Sequence, residues 1–318
     1  MEGTLELAPP KPFRSQIRGR EAHQFNGREI KMAVVNTNIS ASIAQAALAK
    51  NERALESAME QLSTGKKINS AADNAAGLAI TTRMTSQIRG LDQSIRNAYD
   101  AVSMIQTAEG AMDEMTAMLQ RMRELAIQAG TGTTDSSDRQ YLNNEFKALR
   151  EELDRVANNT EWNGRAILNG AAGGSGSLST VAFQVGMDPK QTISTAFGDF
   201  TLSTGSISSL TAATLSTTTI ASAVSQTSKA VVSLDLAMTA VSNQRASFGA
   251  IQNRLIHAVD NLTNVVTNAE ATRSRIMDTD YAAATSELAR TQIIQQAGTA
   301  MLAQANQLPG SVLQLLQT

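Results

Sequence analysis

Two stretches of this sequence repeat apolar residues at alternating steps of three and four. In the N-terminal half the series is Met104, Ala108, Ala111, Met115, Met118, Met122, Leu125 and Ala129. In the C-terminal half Ile251, Leu255, Ala258, Leu262, Val265, Ala269 and Ile276 keep the same beat, with Thr272 filling one slot. Heptad spacing is the mark of helices that zip together along their length, not of a helix laying a broad face on a globular core. Neither stretch can hide its stripe alone. The fold class that follows is mainly α: a long antiparallel helical rod or coiled coil drawn from both termini, with a small β-hairpin region in the middle.

Proline placement permits such a rod. Three of the five prolines are Pro9, Pro10 and Pro12, and the others are Pro189 and Pro309, so long tracts are free of a helix breaker. Aromatic residues make up only 3% of the chain, too little bulk for a thick globular core. A net charge of −2 leaves no basic footprint for nucleic acid, and no apolar run is long enough to span a bilayer. Cysteine is absent, which removes disulfide and thiolate chemistry. Residues 1–31 carry proline and scattered arginine without periodicity. They are expected to be a disordered extension, a non-native start or added segment, with the functional protein opening at Met32.

Periodicity begins after Met32. From Ile39 to Leu62 the pattern is helical, with Leu48, Leu55, Met59 and Leu62 on one face and Gly65 placed to end the helix. Ser70-Ala71-Ala72-Asp73 resembles a capping box, and the next helix is expected from about Ala75 to Ala129. After the Gly130-Thr131-Gly132 break, a helix over Asp138–Val156 presents Leu142, Phe146, Leu149, Leu153 and Val156. Asn163-Gly164 and Asn169-Gly170 signal turns. Val181, Phe183, Val185 and Met187 alternate as a strand, Asp188-Pro189 turns the chain, and a second strand is expected near Ile193. Residues 201–228 hold sixteen serines or threonines in twenty-eight positions, a linker composition. Helical periodicity resumes near Lys229, and a last helix over Tyr281–Gln307 is expected to end at Pro309-Gly310.

Catalytic chemistry is almost absent. His23 and His257 are the only histidines, no HExxH pair exists, and Glu151-Glu152 point in different directions on a helix. No glycine-rich phosphate loop follows a strand; Gly173-Gly174-Ser175-Gly176 reads as linker. No cofactor, metal or enzyme activity is expected.

The segment LSTGKKINSAADNAAGLAI, Leu62–Ile80, resembles the N-terminal signature of bacterial flagellin. NAEATRSRIMDTDYAAATSELARTQIIQQAGTAMLAQANQLPGSVLQLL, Asn268–Leu316, resembles its C-terminal counterpart, and LQRMRELAIQAG, Leu119–Gly130, its inner-rod segment. The resemblance covers Met32–Thr318, with Asn74 where the family often has aspartate and Gly310 where a polar residue is common. It implies a filament subunit for motility, exported unfolded by the flagellar type III system and located outside the cell in the flagellum. The short middle implies a form without large outer domains. The implied domains are 32–75 with 274–318 as a terminal coiled coil, 76–200 with 229–273 as a rod with hairpin, and 201–228 as a surface linker.

Assembly is expected to use Leu48, Leu55, Met59, Leu62, Leu288, Ile294, Leu302, Leu308, Leu313 and Leu316, because apolar stripes on terminal helices find cover only among other copies. Expected partners are the chain itself, an export chaperone, and hook-associated junction and cap proteins. The resemblance adds an animal innate receptor reading Arg121, Leu125 and Glu145. Alternatives are a hook–filament junction protein or a polysaccharide-binding surface adhesin; a protease-bearing flagellin lacks the required HExxH. The Ser/Thr-rich run is either O-glycosylated or bare.

Overall fold

The computed structural model describes residues 38–172, 180–215 and 220–316, with side chains described as far as Gln307. The expectations for residues 1–31, for the start at Met32 and for Gly173–Gly176 lie outside the described residues, as do the side chains of Leu308, Leu313 and Leu316. Five helices dominate: α1 (Ile39–Thr64), α2 (Ala71–Ala129), α3 (Ser136–Asn159), α4 (Ile220–Met277) and α5 (Tyr281–Leu316). Between α3 and α4 lie two hairpins, β1–β2 (Glu161–Trp162 with Arg165–Ala166) and β3–β4 (Thr180–Gln184 with Thr192–Ala196), and a 3₁₀ turn at Ser208–Ala212. The chain divides into two compact units, one of the residues up to Glu56 with those from Glu287 on, the other Ser57–Ser286.

In the larger unit α2 and α4 run antiparallel in one register. Asp113 accepts an ion pair from Arg245 at 2.8 Å and Asp235 one from Arg123 at 2.9 Å, while Gly130 sits beside Thr227. Most of the N-terminal seam is where the heptad spacing puts it: Met104, Ala108, Met115, Met122, Leu125 and Ala129 are buried, while Ala111 and Met118 are half-buried. The buried surface is broader than that single stripe. Ile105, Met112, Leu119 and Ala126 are buried as well, because α3 folds back on the same helix and offers Phe146 and Leu153. A second partner widens a coiled-coil seam into a globular-helix face. Each of the leucine, isoleucine, methionine and phenylalanine side chains removed from water contributes about 1.5–3 kcal/mol.

On α4 the expected seam is buried at Ile251 and Leu255 and loosens after them. Val259 is buried where Ala258 was expected, and Val265 is 44% exposed. Further along, Leu262, Ala269 and Ile276 keep the expected spacing but are only half-buried. Helix α4 also begins nine residues before Lys229, inside the Ser/Thr-rich run. Thr227, buried against Gly130, docks that early turn on the end of α2, and tertiary packing overrides weak propensity. The run is more than linker in another respect: Ile207, Leu210 and Leu215 are core residues.

The hairpins cover one flank of this core. Asn163 and Gly164, at φ 50° and 74°, form the two-residue turn that Asn-Gly favours. Strand β3 uses Val181 and Phe183 against the core but stops at Gln184, so Met187 is outside it and exposed. The carbonyls of Gln184 and Ala196 accept hydrogen bonds from Asn97 on α2 and Gln244 on α4, tying each strand to one rod helix.

The breaks that follow α1 and α4 are clipped together. Gly65, at φ 69°, closes α1 by donating to the Gln61 carbonyl. The Lys67 amide donates to Met277 and the Thr279 amide to Gly65, forming one turn of antiparallel bridge at Lys66 and Asp278. The capping box is present in its reverse arm, with the Ser70 amide donating to the Asp73 carboxylate at 2.8 Å. Asn74 is extended, at φ −163°, and its side chain accepts the Gly77 amide at 2.8 Å, so regular helix starts at Ala75.

In the smaller unit α1 and α5 are antiparallel. The Asn38 side chain donates to the Ala305 carbonyl at 2.7 Å and that of Asn51 to Thr291 at 2.8 Å. Asn38 also caps α1 by accepting the Ala41 amide. Helix α5 does not end at Pro309-Gly310 as expected but continues to Leu316. Proline removes one backbone bond and bends a helix without always stopping it.

Candidate assembly surface

The side of α5 that faces α1 is built from small residues spaced seven apart. Thr291 and Ala305 are buried and Gly298 lies between them. A side-chain carbon on Gly298 would approach Leu48 to 2.9 Å, so glycine there makes the notch that Leu48 fills. This seam of threonine, glycine and alanine was legible as a heptad repeat of small residues, but a search for large apolar residues passes over it. It brings the two backbones close while burying little apolar surface. Among the described residues of this unit, Ala305 is the one apolar side chain in the buried class.

The large apolar residues therefore lie elsewhere. Ile294 and Met301, also seven apart, are 42% and 66% exposed, and Ile293, Ile39 and Ile43 are exposed too. Of the expected assembly residues, Leu48, Leu55, Leu288 and Leu302 are half-buried and Ile294 is exposed. Met59 and Leu62, further along α1, belong to the larger unit, Met59 exposed and Leu62 half-buried. Ile39, Ile43, Ile293 and Met301 are additions to the expected set. With so small an interior, this two-helix unit leaves those apolar side chains uncovered in the single chain.

The residues expected to meet an innate receptor divide. Arg121 on α2 and Glu145 on α3 are both half-exposed and bridged at 2.8 Å, and Arg121 also reaches Glu124 at 3.1 Å. These two hydrogen bonds, that to Glu145 foremost, hold the guanidinium above its ordinary pKa. Leu125 is fully buried in the helical core. One turn beyond Arg121 on α2, it falls on the seam and supports the surface from beneath without presenting a side chain.

Other charged groups serve local structure. The Ser70 backbone amide first, then that of Asn69, then the Ser70 hydroxyl, hold Asp73 below the usual carboxylate range. Arg290 does the same for Glu287 through a 2.6 Å bridge on α5. His257 is exposed on α4. Among the described residues no group of three histidine or acidic side chains is placed to hold a metal, and no helix is long and apolar enough to cross a membrane.

Residues 35–172 match the profile of the bacterial flagellin N-terminal helical region, and residues 231–316 that of the bacterial flagellin C-terminal helical region. The chain is 42% identical to a flagellin of Halalkalibacterium halodurans, over 89% of this chain and 100% of that protein. It is 37% identical to flagellin A of Vibrio cholerae serotype O1, over 89% of this chain and 99% of that one. The Vibrio alignment is 376 positions long against 284 for the other, so the Vibrio protein carries segments that this chain lacks. Among solved structures, a flagellar hook-associated protein of Vibrio parahaemolyticus shares the fold alone, with a TM-score of 0.54 at 14% identity, over 65% of this chain and 100% of that one.

Proposed function

The chain belongs to the bacterial flagellin family, and from that premise we infer how its surfaces serve the filament. It is an extracellular structural subunit of the flagellar filament, in a short form. The observation that carries the reading is the inversion in the smaller unit, where small residues face inward and Ile43, Ile294 and Met301 face out. Copies that bury these residues against one another through head-to-tail contacts that do not close build an open helical polymer. Leu48, Leu55, Met59, Leu62, Leu288, Ile294 and Leu302 contribute to that burial, and Leu308, Leu313 and Leu316 extend it. Residues 32–75 with 274–318 act as the filament's inner layer, and 76–200 with 229–273 as the surrounding rod.

Export through the flagellar type III system suits a chain whose ends hold little fixed interior of their own. A chaperone that shields the apolar ends, and junction and cap proteins that offer the same kind of surface, are its assembly partners. The Arg121–Glu145 pair forms the exposed part of an epitope for an animal innate receptor, with Leu125 as its support.

Polymerisation of Met32–Thr318 beside a version trimmed of both terminal helices tests the reading. The first is expected to form filaments and the second to remain soluble and folded. Failure of the longer chain to polymerise, or filaments from the trimmed one, refutes it.

A further inference from the structure

Helix α2 presents a groove of about 340 Å³ near its start. Leu78 and Met277 supply an apolar floor, Thr82 and Ser86 a small polar wall, and Arg89 closes one end. On α2 these positions follow each other at helical steps of three and four, so they lie on one face, and the small side chains let another helix approach closely. Arg89 is exposed and, among the described residues, has no ion-pair partner within 4.0 Å. Asp92, one turn on, does not reach it.

Helix α1 carries the complementary surface. Glu52, Glu56 and Glu60 stand four residues apart on its exposed side, with Met59 among them. None has an ion-pair partner among the described residues. Like charges at this spacing destabilise a helix. Arg53 lies on the same side and offsets part of the charge, leaving the stripe acidic. One methionine flanked by carboxylates matches one apolar floor closed by a guanidinium.

We propose that the groove of one copy receives the Glu52–Glu60 face of α1 from a second copy, Met59 on the floor formed by Leu78 and Met277 and Glu56 or Glu60 on Arg89. The contact is heterologous, since each copy offers a different surface to its two neighbours, and so it propagates. It rests on the filament reading and adds the register of one subunit on the next.

The test uses the full chain with Glu56→Arg, Arg89→Glu and the pair combined, in assembly assays by sedimentation and electron microscopy. Each single variant is expected to raise the critical concentration at least about tenfold, since like charges then meet in the groove. The double variant is expected to recover most of that loss. An equimolar mixture of the two single variants should also recover, because each copy then finds its complement on the other; a contact within one chain cannot be restored by mixing. Arg89→Lys should assemble nearly as the parent, and circular dichroism of the monomers should show intact helices in every variant. Singles that assemble normally, or a mixture no better than either single, overturn the proposal. Failure of the unmodified chain to polymerise refutes the filament reading instead.

Discussion

Replacing Leu125 by alanine removes three carbon atoms from a site with no solvent exposure, bordered by the buried Met122, Ala126 and Ala129. Substitutions of this kind destabilise by about 2–5 kcal/mol, the transfer term plus the cavity left behind. Both helices around the site are long and anchored along their length by ion pairs, so the void collapses poorly, and about 3 kcal/mol is expected. For a unit of this size each kcal/mol shifts the midpoint by about 2–4 °C, giving a fall of about 6–12 °C. Thermal melts by circular dichroism, on dilute monomer to avoid polymer, supply the measurement. Arg121→Ala is the control. It breaks bridges between half-exposed groups that solvent screens, and its melt should stay within about 4 °C of the parent. A Leu125→Ala melt within about 2 °C of the parent, or an Arg121→Ala melt lower than it, would refute the assignment of Leu125 to the interior. In receptor titrations the two variants should then differ in kind, Arg121→Ala weakening binding by a fully folded protein.

Gly298→Val should abolish filaments while leaving the larger unit's melt unchanged, because a side chain there meets Leu48 at 2.9 Å; sedimentation and calorimetry check the two halves. Hydrogen exchange should be rapid for residues 39–56 and 287–307 in dilute monomer and slow in filaments, whereas residues 104–126 should be slow in both. Asp73, whose folded pKa is depressed by the Ser70 amide, contributes stability above its unfolded pKa that is lost as pH falls through the folded value. Asp73→Asn should therefore lower the melt at neutral pH and converge with the parent in acid.

The rod was readable because α2 packs along nearly its whole length, so its periodicity survives as Met104, Met115 and Met122. The burial of Val259 beside a half-buried Ala258 on α4 was not, since spacing alone does not say which of two adjacent apolar side chains the facing helix covers. Gly65 announced its own break, because a left-handed residue at a helix end is a local demand. The early start of α4 depends on Thr227 meeting Gly130, a contact between residues far apart in sequence. At the assembly surface, Ile294 stood out as a large apolar residue on a terminal helix. Its neighbour seam of Thr291, Gly298 and Ala305 did not, because small residues carry their message only through the partner they admit.

Ten residues separate Asp113 from Arg123 on α2, and ten separate Arg245 from Asp235 on α4. Two racks meshed at that pitch tolerate no lost tooth. A deletion of Glu114, between those anchors, would turn everything beyond it through about 100°, bringing Thr116, Gln120 and Arg123 to the places of the buried Met115, Leu119 and Met122. Length can change where the racks are joined by an exposed turn, as at Asp188–Lys190 between β3 and β4, and there foreign sequence can be grafted without disturbing the rod.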